Sequence, residues 1–383
     1  MDELYLATIS GLVPGLGRAL TLKLVHLMGT AEAVYRADKK DLQATHLLNL
    51  QQINSITRAR QENLSKRLDY LVRKDGMRIL TIEEKEYPIS LKQLHDPPLV
   101  LYVKGSIPRE PYRVAIVGSR NCTPYGIRAA EEFAEKLAYA NIPIISGGAK
   151  GIDSTAHRAC LASGGQTVAV MGCGLDVAYP PENEGLFRKI AESGAVISEY
   201  PPTTPPRAIN FPQRNRIIVG LSQAVIVAEA ALNSGASITA NIAADEGREV
   251  YCVPGNIFDG TSAGCNELIR NGACLVTSPE EILSDREHWQ AARLRGTETS
   301  LFDYSWPELE ENINKIKDKI EENEPDCSEL GKELLTLLKR GTMSLEELVT
   351  KSGKDMQTIS MELLDLQMAG FIKQDYIGNY CRV

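Results

Sequence analysis

The strongest constraint on the fold is a series of short apolar runs that alternate with helical patterns from residue 113 onward. The runs cover residues 113–118, 142–146, 167–171, 195–198, 224–228, 249–253 and 274–276, with helical patterns at 127–140 and 154–163. Uninterrupted apolar runs are typical of parallel strands that are buried on both faces. They predict an α/β, doubly wound, mostly parallel sheet, which strands at 76–82 and 99–103 extend. Ligands of such sheets bind beyond the carboxyl ends of the strands.

The length of 383 residues allows several domains. Residues 1–70 have the pattern of short helices, 71–285 contain the strand–helix alternation, and 286–325 form a charged linker. Residues 326–383 predict three helices and a hairpin, the arrangement of a winged helix. A glycine-rich turn at 11–17 has two explanations that the sequence leaves open. It is either a helix-hairpin-helix turn whose amides contact phosphate, or a turn in a helical packing module.

Composition restricts the possible partners. The net charge of −8 means that any nucleic-acid site must be a local patch. Eight cysteines form no Cys-x-x-Cys pair and do not cluster with the five histidines. We therefore predict free, mostly buried thiols, no metal site and no cofactor. The apolar runs fall short of the roughly 18 residues of a membrane span, and the N-terminus does not resemble a signal peptide, so we expect a cytoplasmic protein.

Glycines and cations follow several of the predicted strands. Gly118-Ser-Arg120 ends one strand and Ser146-Gly-Gly-Ala-Lys-Gly-Ile-Asp153 ends the next, but neither is a dinucleotide or nucleoside-triphosphate loop. The segment Phe211-Pro-Gln-Arg-Asn-Arg216 places two arginines beside an apolar run. Paired guanidiniums at the edge of a buried sheet typically hold an anion. The pattern favours a phosphate-binding edge.

Three side chains near these loops are candidates for catalysis. Asp153 is placed as a helix N-cap, which favours a structural role. His157 has no adjacent nucleophile, so we predict a buried, hydrogen-bonded histidine and not a general base. Cys173 lies between glycines without a nearby base, which disfavours a nucleophile. We therefore expect no catalytic residue and no enzymatic activity.

Two further features concern phosphate and base contacts. The turn at 234–240 is rich in glycine and serine and either binds phosphate or only caps the following helix. Tyr125 and Phe211 lie close to the cations in sequence. Aromatic rings beside phosphate-binding cations are suited to stacking on an unpaired base.

Several motifs occur together in a fixed order. They include Asp96-Pro-Pro98, Val117-Gly-Ser-Arg120, the 146–157 segment, Gly172-Cys-Gly-Leu-Asp176, Phe211-Pro-Gln-Arg-Asn-Arg216, Gly235-Ala-Ser-Ile-Thr-Ala240 and Val253-Pro-Gly255. In this order they resemble the DNA-processing protein A family, DprA or Smf. The resemblance covers residues 75–280 closely and the two ends of the chain more loosely. It implies an extended Rossmann-like core, an N-terminal domain of SAM or helix-hairpin-helix type, and a C-terminal winged helix.

The resemblance also implies a function. Members of the family bind single-stranded DNA and load the recombinase RecA onto strands covered by single-strand-binding protein, in DNA uptake and natural transformation. They dimerise through the core and are not enzymes. The DNA-binding residues it implies are Gly118, Ser119, Arg120, Gly147, Gly148, Lys150, Gly151, Arg214, Asn215 and Arg216.

Two other functions remain as alternatives. A Rossmann-like phosphoribohydrolase would cleave nucleoside monophosphates, but its Pro-Gly-Gly-x-Gly-Thr signature is absent. A winged-helix regulator would read duplex DNA with residues 326–383. Its predicted recognition helix at 355–370 carries Asp355, Glu362 and Asp365 and no Lys or Arg, which favours an interaction role for this tail.

Overall fold

The computed structural model describes residues 2–285, 328–338, 343–368, 372–374 and 379–382. These residues fall into two compact units, one on each side of residues 286–327. The predicted linker at 286–325 lies entirely outside the described residues. No helix in the described ranges is both long enough and apolar enough to cross a membrane.

The first unit begins with six helices. They are α1 (Asp2–Leu12), α2 (Arg18–Met28), α3 (Ala31–Arg36), α4 (Lys39–Ala44), α5 (Leu50–Gln61) and α6 (Leu64–Lys74). Local capping sets several boundaries; for example, Asn49 and Gln52 form a reciprocal capping box at the start of α5. The boundary predicted at residue 70 lies inside α6. Buried residues of these helices, such as Leu6 and Leu24, belong to the same core cluster as Leu101 and Tyr102 of the sheet.

Nine strands form one sheet. They are β1 (Arg78–Thr81), β2 (Val100–Gly105), β3 (Val114–Gly118), β4 (Ile144–Ser146), β5 (Thr167–Met171), β6 (Ala195–Ser198), β7 (Ala224–Glu229), β8 (Glu249–Cys252) and β9 (Cys274–Leu275). Their order is β1-β2-β6-β5-β4-β3-β7-β8-β9, and β3 to β9 pair in parallel. The predicted doubly wound sheet is confirmed. The sheet is mostly parallel, as predicted; β1 and β2 pair antiparallel at one edge, where no crossover helix is required.

Helices cover both faces of the sheet. They are α7 (Ile89–Lys92), α8 (Pro124–Tyr139), α9 (Ile152–Ala162), α10 (Glu184–Ser193), α11 (Asn210–Gly220), α12 (Gly235–Asp245), α13 (Ala263–Arg270) and α14 (Pro279–Ser284). Val114 and Ile116 pack into one core cluster, and Ala115 and Val117 into the other. This alternation places β3 in the middle of the molecule, buried on both faces.

The second unit has three helices and a hairpin. They are α15 (Glu329–Leu338), α16 (Leu345–Ser352), α17 (Met356–Met368), β10 (Ile372–Gln374) and β11 (Tyr380–Arg382). Ser344 and Glu347 form a capping box at the start of α16. The cluster that includes Leu334, Leu348, Leu363 and Ile372 is its core. The predicted order of elements is confirmed.

Candidate nucleic-acid interface

A crevice opens where the order of the parallel strands reverses. β3 lies beside β7, and the chain winds away from this pair in opposite directions, so the loops after β3 and β7 separate. The crevice has a volume of about 710 Å³. Its lining comes from the loop after β3, the start of α9, the loop before α11, α11 itself and the start of α12. The predicted position of a ligand, beyond the carboxyl ends of the strands, therefore coincides with a cavity.

The loop after β3 forms one wall of this crevice. The Ser119 amide donates to the Glu229 carbonyl at 2.8 Å, and the Ile152 amide donates to the Ser119 carbonyl at 3.2 Å. A Cβ on Gly118 would lie 2.6 Å from Ile152 Cγ1, so a larger residue does not fit there. Arg120 is exposed, and its guanidinium lies 5.6 Å from the centre of the Phe211 ring. Gly118, Ser119 and Arg120 all line the crevice.

Most of the loop after β4 lies behind the lining of the crevice, to which it contributes Ala149. Gly148 and Gly151 have φ of +64° and +77°, a region that side chains other than glycine adopt at a cost. A Cβ on Gly147 would collide with the Arg214 guanidinium, and one on Gly151 with the Ser119 carbonyl. The glycines therefore allow close packing of loops. Lys150 is exposed and pairs with Glu182; like the three glycines, it is not among the lining residues.

Arg214 lies at the floor of the crevice and is almost completely buried. Its Nη1 donates to the carbonyls of Gly147, at 2.7 Å, and Val170, and its Nε donates to Asn215 Oδ1 at 3.1 Å. Burial lowers the pKa of Arg214 to about 10, against the opposing effect of Asp153. Through these hydrogen bonds, Arg214 links the ends of β4 and β5. Asn215 lines the crevice beside it.

Arg216 points away from the crevice. Both arginines lie in α11, where residues two apart face different directions, so only Arg214 reaches the ends of β4 and β5. Nη2 of Arg216 donates to both carboxylate oxygens of Glu199, at 2.7 and 2.8 Å. Its Nε lies 3.4 Å from Asp96 Oδ2. Arg18 pairs with the same two carboxylates. Arg216 therefore belongs to a cluster that joins α2 to the core.

The glycine-rich turn between α1 and α2 is used in packing. A Cβ on Gly11 would lie 2.7 Å from Pro201 Cγ, and the Gly15 carbonyl accepts from Gln52 Nε2 at 2.9 Å. Arg18, directly after the turn, binds Glu199. Of the two explanations for this turn, these contacts support the packing module.

The candidate catalytic side chains are held in structural roles. The N-cap of α9 is Gly151, so the predicted N-cap role of Asp153 is wrong; Asp153 lies in the first turn and accepts from the Ala149 amide at 3.3 Å. Burial raises the pKa of Asp153, against the opposing charge of Arg214. His157 is buried, as predicted, with Nδ1 2.7 Å from Thr167 Oγ1. Burial lowers its pKa to about 3, so it is neutral.

The thiols also match the prediction. Cys160, Cys173, Cys252 and Cys265 are buried and free. Burial raises the pKa of Cys173 to about 11, which keeps it protonated near neutral pH. Among the described residues, no group of three or more His, Cys, Asp or Glu side chains could hold a metal ion.

Aromatic rings form another part of the crevice. The Phe211 ring lies within 6 Å of the guanidiniums of both Arg120, at 5.6 Å, and Arg214, at 5.8 Å. Tyr179, which sequence reasoning missed, lies 5.4 Å from Phe211 and is 38% exposed. The sequence feature that could have identified Tyr179 is its position in the loop after β5. Tyr125 lies in a neighbouring cavity, where its hydroxyl donates to the Pro254 carbonyl at 2.6 Å.

The start of α12 closes the crevice. Ser234 Oγ accepts from the Ser237 amide at 3.2 Å, which caps the helix. Ser234, Gly235 and Ala236 also line the crevice, so capping and contact with a ligand are compatible here. Among the described lining residues Asp153 is the only acid, and it is buried beside Arg214. These lining residues are suited to binding an anion that carries an apolar ring. The described lining residues include no pair of groups placed for acid–base chemistry.

Comparison with known families identifies the two units. Residues 78–287 match the family described as DNA recombination-mediator protein A, and residues 321–375 match the DprA winged helix domain. The predicted winged helix is thereby confirmed.

Relatives match over much of the chain. Protein Smf of Escherichia coli K12 is 36% identical over 310 residues, which are 80% of this chain and 77% of that protein. The DNA processing protein DprA of Streptococcus pneumoniae R6 is 46% identical over 202 residues, 52% of this chain and 71% of that protein.

Solved structures agree with these matches. The X-ray structure of S. pneumoniae DprA superimposes with a TM-score of 0.63 at 35% identity. The match covers 74% of this chain and 98% of the chain in that structure. A solved structure of DprA from Helicobacter pylori, reported for its unique single-stranded DNA binding mode, superimposes with a TM-score of 0.50 at 31% identity. This match covers 55% of this chain and 96% of that chain. With the family match extending over residues 78–287, more than half of the chain, this protein belongs to the DNA recombination-mediator protein A family, also called DprA or Smf.

Proposed function

We propose that this chain binds single-stranded DNA in the crevice at the carboxyl ends of β3 and β7. The observation that carries the proposal is the group formed by exposed Arg120, the Phe211 ring and Tyr179 beside the amides of the Gly118 loop. A guanidinium binds phosphate, and an aromatic ring stacks on an unpaired base of any sequence. The single-stranded DNA binding mode described for the H. pylori relative supports the proposal.

The predicted site residues have different roles in this proposal. Arg120, with the amides of Gly118 and Ser119, contacts phosphate directly. Lys150 is exposed outside the lining and becomes a phosphate contact when it leaves Glu182. Gly147, Gly148 and Gly151 shape the loops, Arg214 and Asn215 form the floor, and Arg216 orients α11.

The wider function is a recombination mediator. We propose that the chain loads RecA onto DNA covered by single-strand-binding protein, in DNA uptake and natural transformation, as a cytoplasmic homodimer formed through the core and without enzymatic activity. Membership of the recombination-mediator family supports this role. The winged helix serves as an interaction module in this proposal, since its helix α17 carries no Lys or Arg.

The DNA-binding proposal is tested by salt titration. Affinity for oligo-dT is measured by fluorescence anisotropy for the wild type, Arg120→Ala and Lys150→Ala at several salt concentrations. Each lost phosphate contact on a single strand should reduce the slope of log K against log salt by about 0.7. Arg128→Ala, at an exposed position of α8, is the matched control and should leave the slope unchanged. Unchanged affinity and slope in Arg120→Ala would show that the crevice is not the DNA site.

The mediator proposal needs a separate assay. RecA strand exchange is followed on DNA coated with single-strand-binding protein, with the wild type, with Arg120→Ala, and with a chain that ends at residue 285. We expect stimulation by the wild type, a loss with Arg120→Ala, and a reduced effect of the shortened chain in spite of unchanged oligo-dT affinity. Equal stimulation by all three would contradict both the mediator role of the crevice and the interaction role of the winged helix.

A further inference from the structure

A second cavity lies at the opposite edge of the sheet from the crevice. It is formed around the amino ends of β3, β7 and β8, with the loops before α7 and after β2, and has a volume of about 730 Å³. A five-residue strand such as β3 separates the two edges by about 16 Å. The function proposed for the crevice does not involve this cavity.

The cavity has an excess of positive charge. Five cationic side chains line it, together with three carboxylates. The cations are Arg78, Lys85, Arg109, Arg113 and Arg248, and the acids are Glu86, Glu110 and Glu249. An excess of two positive charges contrasts with the net charge of −8 of the whole chain. Such a local patch selects anionic ligands.

Two guanidiniums converge at the back of the cavity. Arg113 is buried and donates from Nη2 to Ser90 Oγ at 3.2 Å, and Arg248 donates from Nη2 to the Ser90 carbonyl at 3.4 Å. Arg248 Nε is buried and has no hydrogen-bond partner among the described residues. Burial lowers the pKa of Arg248, against the opposing charge of Glu246. Arg248 also lines the cavity, so its guanidinium is available to an anion bound there.

The mouth of the cavity is cationic and one wall is apolar. The Arg109 side chain is 92% exposed and lies 4.0 Å from Glu86, which is mainly engaged by Arg78 at 2.6 Å. Lys85 is also exposed. The apolar wall includes Ile89, which is 56% exposed, and Ile107. A volume of this size, with an apolar wall and a few convergent polar groups, suits a small organic ligand.

We propose that this cavity is a second phosphate site, in which Arg248 and Arg109 bind the phosphate of a nucleotide-sized ligand whose apolar part lies against Ile89. Guanidiniums favour phosphate because their planar donors bind two of its oxygens at once. Arg113 holds the back of the site through Ser90, and Lys85 adds charge at the mouth.

The test measures binding of pyrophosphate and of dTMP to the full chain by isothermal titration calorimetry. Arg120→Ala is the background, so that the crevice contributes little. We expect a remaining site whose affinity falls about tenfold or more in Arg109→Glu and in Arg248→Gln, since a charge-assisted hydrogen bond is lost. Arg109 is at the surface, so its variant reports on binding even if Arg248→Gln fails to fold. Arg128→Glu is the control for total charge. Loss of all binding in the Arg120→Ala background, or equal affinity in Arg109→Glu and Arg128→Glu, would overturn the proposal.

A second measurement identifies the source of the phosphate. Oligo-dT affinity is titrated with salt for Arg109→Glu in the otherwise wild-type chain. An unchanged slope assigns the site to a free phosphorylated molecule, and a shallower slope assigns it to a DNA strand that reaches this edge. Failure of the crevice as a DNA site would leave both measurements valid, because Arg109 and Arg248 lie at the other end of the strands.

Discussion

Burial decides what each charged residue near the crevice can do. Arg120 and Arg214 both lie beside Phe211, yet only Arg120 is exposed. Nη1 of Arg214 donates to the carbonyls of Gly147 and Val170, and its Nε donates to Asn215 Oδ1. A phosphate would have to compete with these bonds in a buried position, whereas Arg120 can reach it from solvent. The two residues therefore contribute differently, Arg120 to affinity and Arg214 to the shape of the floor.

Removal of Arg214 should destabilise the fold. Arg214→Met leaves the buried Asp153 without its opposing charge and should lower the free energy of unfolding by about 3–5 kcal/mol. The double variant with Asp153→Asn should recover part of this loss. Urea denaturation measures both, with the surface variant Arg128→Met as control. A loss in the double variant as large as in Arg214→Met would show that the two residues do not act as a pair.

His157 should make stability depend on pH. Its pKa is about 3 in the folded protein, against an ordinary value of 6.5, so below pH 6.5 the unfolded chain binds a proton that the folded protein does not. Stability from this residue is therefore complete above pH 6.5 and decreases as the pH falls, by roughly 2 kcal/mol at pH 5. The destabilisation caused by His157→Gln should accordingly be smaller at pH 5 than at pH 7. Denaturation curves whose difference does not change with pH would contradict a buried neutral histidine.

At the scale of elements, helix α11 and the glycine loops organise the crevice. The helix directs Arg214 to the floor and Arg216 to Glu199, because two residues correspond to more than half a turn. The loops after β3 and β4 approach each other closely, and the Ile152 amide donates to the Ser119 carbonyl. Glycine at 151 is what permits this approach.

Two glycines with similar φ values should respond differently to alanine. Gly164 has φ of +72° and open space around it, so Gly164→Ala should cost only about 1 kcal/mol for the backbone conformation. Gly151 has φ of +77°, and a Cβ there would collide with the Ser119 carbonyl. Gly151→Ala should therefore cost more and should also weaken oligo-dT binding by displacing Arg120. Chemical denaturation and anisotropy measure the two effects; equal effects in both variants would rule out a special role for the approach at Gly151.

At the scale of the whole molecule, the helices of residues 2–74 and the sheet share one core. Leu6 and Leu24 belong to the same buried cluster as Leu101 and Tyr102. The ion-pair cluster of Arg18, Arg216, Glu199 and Asp96 adds polar contacts between these parts. The boundary predicted at residue 70 therefore marks a change of sequence pattern, whereas the segments on its two sides pack into one core.

This shared core should produce one unfolding transition for residues 2–285. Amides of α1 and of β5 should exchange hydrogen with the same limiting free energy and the same dependence on urea, since neither part keeps its apolar surface covered alone. Hydrogen exchange followed by mass spectrometry makes the comparison. Opening of α1 at a much lower free energy than β5 would show that the helices form an independent domain.

The sequence alone determined the doubly wound sheet, the winged helix and the loops that carry the candidate site, because uninterrupted apolar runs and glycines at strand ends are local patterns. It also indicated that His157 is buried, since no reactive partner lies near it. Only the tertiary structure decided which cations face the crevice. Arg214 and Arg216 are two residues apart, and their burial and partners depend on where α11 packs against the sheet and α2. The antiparallel pairing of β1 and β2, the position of Tyr179 and the cationic cavity around Arg248 likewise arise from contacts between distant segments, which no local pattern records.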